Sequence, residues 1–236
     1  MPDLIRPSTV LPALRREITL QTEDGLTLVG EVATPEGERL ATLVMLHPNP
    51  SGGGMMDSHV YKKAANRLPH MAGIEILRFN TRGTASERGK SEGGYDHGVS
   101  EHFDVEAAID YAISELHTTN LWVVGWSFGT DLALAYARNP QVKGLILLSP
   151  PLRTSKPEDL HFWASDGRPV IALIPEHDEY LQYPEAVKRF AVIPQIRLIH
   201  VLGAKHLLVG EPMVYRVLTE IVSIVAPSRL PLPTEV

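Results

Sequence analysis

The sequence contains no cysteine among its 236 residues, which excludes disulfides, thiolate metal sites and a cysteine nucleophile. It also lacks an excess of positive charge, because 22 Lys and Arg are outnumbered by 28 Asp and Glu and the formal net charge is -6. Binding to nucleic acid or to anionic membranes through the overall electrostatic field is therefore not expected.

A long hydrophobic segment is also missing. The longest stretch without a charged residue covers positions 40–56, and its second half, HPNPSGGG, is too polar and too broken to span a bilayer. The first residues, MPDLIRPSTVLPALRRE, place charges and prolines where a signal peptide needs an unbroken apolar segment. These absences lead us to expect a cytoplasmic protein with no membrane partner.

The composition is that of an ordinary globular domain. Hydrophobic residues make up 44% and charged residues 21%, which argues against intrinsic disorder. A chain of this length buries roughly 70% of its unfolded surface, so one sizeable core is expected. Since no repeat or long linker divides the chain, we predict a single domain over residues 1–236. Its core should cover about 16–226, with ragged extensions at both ends.

Short apolar runs alternate with segments of helical spacing along most of the chain. The runs are continuous rather than alternating, which is typical of strands buried on both faces of a parallel sheet, and the alternation with helices predicts an α/β fold with helices on both faces. Ahead of them, REITLQT and LTLVGEV flank an Asp-Gly turn and predict a leading antiparallel hairpin. The apolar runs are ATLVML (41–46), IEILRF (74–79), LWVVGW (121–126), GLILLS (144–149), VIALIP (170–175) and IRLIHVL (196–202).

Local sequence signals predict two further features, a capped helix and a long polar connection. Ser58 can cap a helix that runs to about Leu68. The connection from 82 to 102, RGTASERGKSEGGYDHGVSEH, is rich in glycine and charge. It is predicted to be a mobile surface loop or a part of a site rim.

The sharpest chemical signal is the segment Gly125-Trp126-Ser127-Phe128-Gly129, where a strand-like run passes directly into a helix-like one. This is the setting of the G-x-S-x-G nucleophile elbow, in which a strained turn projects the serine hydroxyl above the sheet. The helix that follows offers backbone N–H groups and a positive dipole end to a developing oxyanion. Ser127 is therefore the predicted nucleophile.

A serine nucleophile needs a base, and the base needs an orienting carboxylate. Two late strand-like runs end in suitable loops, and the last of these loops contains His206. His177 follows the other run but precedes the acid in the same loop, and His200 lies inside a strand-like run, so His206 is the predicted base. Asp178 is the preferred acid because a short side chain suits a tight loop, and the alternatives that stay open are Glu176 and Glu179.

Stabilising an oxyanion needs a second N–H donor besides that of Phe128. The loop HPNPSGGG has prolines at 48 and 50, which carry no N–H, so Asn49 is the natural supplier. Its glycines are not followed by a Lys-Ser/Thr pair, which makes a phosphate cradle a poor interpretation. A metal site built from His47 and His59 would lack a third ligand. No cofactor and no metal are therefore expected.

Together these motifs resemble the α/β-hydrolase superfamily from about Arg16 to Ala226. More narrowly, they resemble its small capless members of the dienelactone-hydrolase-like or serine-aminopeptidase-like type. The resemblance implies Ser127 as nucleophile, Asp178 as acid and His206 as base, with the N–H groups of Asn49 and Phe128 as oxyanion hole. It also implies hydrolysis of an ester, thioester or amide. The segments that carry it are HPNPSGGGMMDSHV, RFNTRGTASERGKSEGG, GWSFGT, PEHDEY and GAKH.

Two departures limit what the resemblance implies. Dienelactone hydrolases use a cysteine at the elbow, so lactone specificity does not transfer, and the usual His-Gly is His47-Pro48 here. Only 17 residues separate LLSPPL from VIALIP, too few for a large cap. We therefore expect an open pocket rimmed by the 82–102 loop and by PEDLHFWASDG. The aromatic residues Trp126, Phe162 and Trp163 should either line an acyl site or belong to the core.

The sequence thus favours a serine hydrolase that cleaves a small carboxylic ester through an acyl-enzyme. A peptidase or a thioesterase on the same fold is an alternative. A non-catalytic protein that binds a small molecule is another, because a fold does not fix a function. The expected partner is a small acyl substrate, and the sequence does not determine an oligomeric state.

Overall fold

A computed structural model describes residues 4–235. Within these residues there are ten strands and six α-helices, and the strands of the leading hairpin and of the six apolar runs follow the order that the sequence predicts. The strands are β1 (Leu14–Gln21), β2 (Thr27–Thr34), β3 (Ala41–Leu46), β4 (Ile74–Phe79), β5 (Ala85–Ser86), β6 (Gly89–Lys90), β7 (Leu121–Trp126), β8 (Val142–Leu148), β9 (Val170–His177) and β10 (Arg197–Lys205). The helices are α1 (His59–Ala72), α2 (Glu101–Ser114), α3 (Phe128–Tyr136), α4 (Pro157–Asp166), α5 (Tyr183–Arg189) and α6 (Glu211–Val225).

Eight of these strands form one sheet in the order β1-β2-β4-β3-β7-β8-β9-β10. β1 pairs with β2 antiparallel in full register, from Leu14 opposite Thr34 to Gln21 opposite Thr27. β2 is also antiparallel to β4, whereas β4, β3, β7, β8, β9 and β10 pair with one another in parallel. The predicted mostly parallel sheet with a leading hairpin is confirmed.

Helices cover both faces of the sheet, because the strand side chains are apolar on both sides. On one face the buried side chains of α1 and α6 pack on Leu43, Met45 and Ile76. On the other face α2, α3, α4 and α5 pack on Val44, Leu46 and other strand residues. Burial at this scale contributes roughly 25 cal/mol per Å² of apolar surface removed from water, which makes these two layers the main source of stability.

The connections leave a crevice above the centre of the sheet. β3 lies between β4 and β7, so the chain leaves β3 toward one edge and later returns on its other side. Ligands of open α/β sheets bind at such a switch point, outside the carboxyl ends of the strands. The loop after β3 and the turn after β7 therefore meet here, which brings Asn49 close to Ser127.

The loop from 82 to 102 is more ordered than its composition suggests. β5 and β6 form a small hairpin within it. Arg82 is buried, and its guanidinium donates to Asp104 at 2.8 and 3.0 Å and to Asp24 at 2.9 and 3.2 Å. A paired, hydrogen-bonded guanidinium fixes the start of the segment.

The first and last of the described residues lie next to each other on the domain. Leu4 forms a bridge with Glu235, and Ile5 N donates to Thr234 O at 2.9 Å. Leu232 is only 3% exposed and joins the core beside α6, where its carbonyl accepts from Tyr215 Oη at 2.7 Å. Of the apolar residues near the two ends, Leu11 and Leu232 are buried, whereas Leu4 and Val10 are exposed.

Two further features bear on the predictions: the end of α1 and the segment between β8 and β9. α1 continues to Ala72, past the predicted end near Leu68, and Gly73 ends it with a φ of 63°. Only α4 separates β8 from β9, which agrees with the expected absence of a large cap. No helix within residues 4–235 is both long enough and apolar enough to cross a membrane.

The packed carboxyl end predicts a measurable contribution to stability. Leu232→Ala should lower the free energy of unfolding by about 2 kcal/mol, because it removes buried methyl groups and leaves a cavity. Leu202→Ala, at a side chain that is 66% exposed, should change it by less than about 0.5 kcal/mol. Urea unfolding of both variants checks this, and equal small effects would show that the end is loosely attached.

Candidate active site

Ser127 lies in a strained turn between β7 and α3. Its φ is 51° and its ψ is -119°, a conformation that a side chain adopts only when its surroundings impose it. A Cβ on Gly125 would lie 2.3 Å from Gly129 O, and a Cβ on Gly129 would lie 2.0 Å from Leu46 O. Both contacts are with backbone and cannot relax cheaply. The two glycines therefore let α3 start directly against the ends of β7 and β3.

Three side chains from separate loops form one hydrogen-bonded chain. Ser127 Oγ lies 2.8 Å from His206 Nε2, and His206 Nδ1 lies 2.8 Å from Asp178 Oδ2. Asp178 and His206 are 2% and 6% exposed, whereas Ser127 is half-buried and reaches a cavity. With Nδ1–H donating to the carboxylate, Nε2 is left to accept from the serine hydroxyl.

Among the three candidate carboxylates, Asp178 is the one that contacts His206. Its other oxygen accepts from Tyr180 N at 2.8 Å and Leu181 N at 3.2 Å, which fixes the plane of the carboxylate. Glu176 instead accepts from Gly203 N at 2.7 Å, and Glu179 is exposed. The shorter side chain of Asp178 thus lies beside His206 in the turn after β9.

Asn49 and Phe128 border the same cavity as Ser127. Asn49 Oδ1 accepts from Ser51 N at 2.9 Å, which holds the short turn after β3 in shape. Within the described residues, the backbone N–H groups of Asn49 and Phe128 donate to no other group. Two unengaged donors at a helix N-terminus and a neighbouring turn suit an anionic oxygen.

His47 holds the Asn49 turn from below. The ring is 1% exposed, with Nδ1 2.7 Å from Pro48 O and Nε2 accepting from Thr81 N at 3.0 Å. Desolvation by burial lowers the pKa of His47 to about 4, against 6.5 for an exposed histidine. The imidazole is therefore neutral at physiological pH, with its proton on Nδ1.

The cavity above Ser127 measures about 220 Å³. Its walls come from the turns after β3, β7, β8 and β9 and from the 82–102 loop, so part of that loop does form the rim. A larger cleft of about 590 Å³ between β1 and α2 contains none of the predicted site residues. The residues that line the smaller cavity are Asn49, Tyr95, His97, Ser127, Phe128, Asp131, Pro151, Arg153, Thr154 and Tyr180.

The aromatic residues that were candidates for an acyl site belong elsewhere. Trp126 is 1% exposed and packs edge-on against Tyr61, while Trp163 is fully buried and donates to Leu134 O at 2.9 Å. Phe162 lies under the guanidinium of Arg138 at 4.7 Å. Both tryptophans therefore belong to the core, which was one of the two alternatives that the sequence left open. The segment PEDLHFWASDG forms α4 and contributes no residue to the cavity rim.

Several lining residues carried no recognisable sequence signal. Tyr95, His97, Arg153 and Tyr180 come from three loops that only the tertiary structure brings together. Asp131 could have been noticed, because it lies in the first turn of the helix that follows Ser127. Burial raises the pKa of Asp131, although its hydrogen bonds oppose that effect.

One group of described residues has the donor atoms of a metal site. The ligand atoms of Asp178, Glu179 and His206 lie within 4.8 Å of one another. However, both ring nitrogens of His206 and both oxygens of Asp178 already form the hydrogen bonds described above. A cation at this place would compete with these hydrogen bonds, so the geometry fits a proton relay better than a metal centre.

Comparisons with known proteins agree with this architecture. Residues 41–208 match the family described as the alpha/beta hydrolase fold. The uncharacterized protein RP471 of Rickettsia prowazekii is 30% identical over 151 residues, which are 63% of this chain and 61% of that protein. The chain therefore spans only about three fifths of the length of this curated relative.

Two solved structures are similar to most of this chain. An alpha-beta serine hydrolase homologue from Coxiella burnetii is 26% identical, with a TM-score of 0.75 over 89% of this chain and 97% of that chain. The a/b serine hydrolase without lid XC6422 from Xanthomonas campestris is 24% identical, with a TM-score of 0.74 over 93% of this chain and 99% of that chain.

The buried neutral His47 predicts a specific sensitivity to acid. Its pKa is lower in the folded chain than in the unfolded chain, so the unfolded state binds more protons as the pH falls. Stability should therefore be lost between pH 6.5 and about 4, by about 3 kcal/mol in total from this group.

His47→Gln keeps a donor and an acceptor but does not titrate. Urea unfolding across this pH range should show a shallower loss of stability for His47→Gln than for the unmodified protein. The change over the pH range is compared rather than the absolute stability, so a weaker fold at neutral pH does not matter. Equal slopes would mean that His47 is not held neutral by the fold.

Proposed function

We propose that this chain, which belongs to the α/β-hydrolase family, is a serine hydrolase that cleaves a small carboxylic ester through an acyl-enzyme. The observation that carries the proposal is the pair of 2.8 Å contacts that joins Ser127, His206 and Asp178. In this proposal Ser127 is the nucleophile, His206 the general base and Asp178 the group that orients the imidazole.

The first half of the reaction forms the acyl-enzyme. Ser127 Oγ attacks the ester carbonyl while its proton moves to His206 Nε2, and Asp178 stabilises the imidazolium that results. The negative charge on the former carbonyl oxygen is stabilised by the N–H groups of Asn49 and Phe128 and by the positive end of α3. When the tetrahedral intermediate collapses, the alcohol leaves with the proton from Nε2.

The second half returns the enzyme to its starting state. A water molecule takes the place of the alcohol and gives a proton to His206 Nε2 as its oxygen attacks the acyl carbonyl. The same two N–H groups stabilise the second oxyanion. Collapse breaks the bond to Ser127 Oγ, which regains its proton from Nε2, and the carboxylic acid is released.

The size of the cavity supports a small substrate. About 220 Å³ is less than the volume of a typical drug-sized pocket, which is roughly 300–1,000 Å³. The strained turn at Ser127 fixes the position of the serine hydroxyl. The short segment between β8 and β9 leaves the cavity without a large lid. These features favour a short acyl group that enters directly from solvent.

The decisive experiment labels the serine with a fluorophosphonate probe and measures hydrolysis of p-nitrophenyl butyrate. Ser127→Ala should abolish labelling and lower kcat by about 10⁵-fold, because both catalytic steps need the nucleophile. The matched control is Ser149→Ala, a buried serine at the end of β8 whose Oγ has no hydrogen-bond partner among the described residues.

The Ser149→Ala control should leave labelling intact. Labelling of folded Ser127→Ala, or full activity without that hydroxyl, would refute the proposal. Parallel assays with an acyl-CoA and an aminoacyl amide separate esterase from thioesterase and peptidase activity. Absence of turnover on the whole panel, together with absence of labelling, would favour the non-catalytic alternative.

The choice of acid gives a second test. Asp178→Asn should lower kcat by about 10⁴-fold, because an amide in this place no longer holds the Nδ1–H tautomer or stabilises the imidazolium. Glu176→Gln and Glu179→Gln remove a neighbouring charge without touching His206, so their kcat should stay near that of the unmodified enzyme. A larger loss in either control than in Asp178→Asn would assign the role to that glutamate instead.

A further inference from the structure

The loop after β8 is fixed to the helix that begins beside Ser127. Asp131, in the first turn of α3, is 2% exposed, and its Oδ2 accepts from Arg153 N at 3.2 Å and from Thr154 N at 3.3 Å. Its Oδ1 accepts from the Ser155 hydroxyl. Asp131 therefore couples the position of residues 153–155 to the position of the elbow, and its acceptor sites are occupied.

Arg153 occupies the mouth of the cavity from this loop. Its guanidinium lies over the ring of Tyr180, 5.6 Å from the centroid, and the Tyr180 ring in turn lies 4.5 Å from the ring of His206. The backbone N–H of Tyr180 donates to Asp178. The positive charge is thus held one aromatic ring away from the proposed proton relay.

Within residues 4–235, the Arg153 guanidinium has no carboxylate within 4 Å and forms no hydrogen bond. This differs from Arg82, whose guanidinium in the same part of the fold is paired with two aspartates. A buried arginine with two partners serves the structure, whereas an exposed one stacked at the mouth of a cavity is available to a ligand.

The rest of the cavity does not oppose an anion. Asp131 is the only carboxylate among its lining residues, and that group is saturated by backbone and hydroxyl donors. Glu101, which lies behind Tyr95, accepts from the N–H groups of Asp96 and Gly98, each at 2.8 Å. Tyr95, His97 and Thr154 add groups that can donate hydrogen bonds toward the cavity.

We propose that the substrate carries a carboxylate close to its scissile ester, and that Arg153 binds this carboxylate at the cavity mouth. This inference rests on the proposed ester hydrolysis and names the substrate class more narrowly. Guanidinium and carboxylate form charge-assisted hydrogen bonds that can be bidentate, so the contact gives both affinity and orientation. Arg153 is thereby a specificity-determining residue and takes no part in proton transfer.

The test compares pairs of esters that differ in one charge. Mono-p-nitrophenyl glutarate against p-nitrophenyl pentanoate places the carboxylate on the acyl side. 4-Butyryloxybenzoate against 4-butyryloxybenzamide places it on the alcohol side. In at least one pair, kcat/KM should favour the anionic ester after subtraction of uncatalysed hydrolysis. The preference should shrink as sodium chloride is added, because salt screens a partly exposed charge.

Variants separate charge recognition from a general effect on the loop. Arg153→Gln should lower the ratio of anionic to neutral kcat/KM about tenfold, and Arg153→Lys should keep part of the ratio because the charge remains. Arg16→Gln is the matched control, since Arg16 is an exposed arginine on β1 at the far edge of the sheet. It should leave the ratio unchanged.

The outcomes distinguish this inference from the proposed function. Hydrolysis of neutral and anionic esters with equal kcat/KM, or an equal loss for both in Arg153→Gln, overturns the inference and leaves the hydrolase intact. If no ester is cleaved, calorimetric binding of monomethyl glutarate to Ser127→Ala decides. Binding that disappears in Ser127→Ala/Arg153→Gln supports the carboxylate site while the proposed function fails. Absence of binding overturns the site as well.

Discussion

The close approach of α3 to the ends of β7 and β3 is the contact on which the candidate site depends. A Cβ at Gly129 would collide with the backbone of β3, and one at Gly125 would collide with α3 itself. Because neither glycine has a side chain, the chain can turn within one residue and hold Ser127 at a φ of 51°. The core on both faces of the sheet supplies the stability that keeps this residue strained.

The polar groups around the site are arranged so that few titratable atoms lack a partner. Asp178 accepts three hydrogen bonds, Asp131 is saturated from the loop after β8, and His47 uses both ring nitrogens. In a poorly solvated interior each of these groups would be costly if left alone. Most of their partners are backbone groups of the surrounding turns, and the side chains of His206 and Ser155 supply others. The network therefore stabilises the turns and orients the site at the same time.

The exceptions to this pattern carry the functional proposals. Asn49, Phe128 and Arg153 line the same cavity, and the N–H groups of the first two and the guanidinium of Arg153 have no partner among the described residues. Two donors beside Ser127 suit the oxygen of a tetrahedral intermediate, and a cation farther out suits a substrate carboxylate. Preorganised donors of this kind need no rearrangement when charge develops, which is how they lower a barrier.

The sequence by itself determined the strands, the helices, the elbow serine and the candidate loops. These depend on local causes: continuous apolar runs, glycines two positions on either side of Ser127, and prolines that remove donors on either side of Asn49. Only the tertiary structure decided that Asp178 rather than Glu176 contacts His206, that Arg153 and Tyr180 join the cavity, and that Leu4 pairs with Glu235. Those outcomes depend on how loops far apart in sequence meet above one sheet. The direction and length of each loop, which no local pattern encodes, set the distances between them.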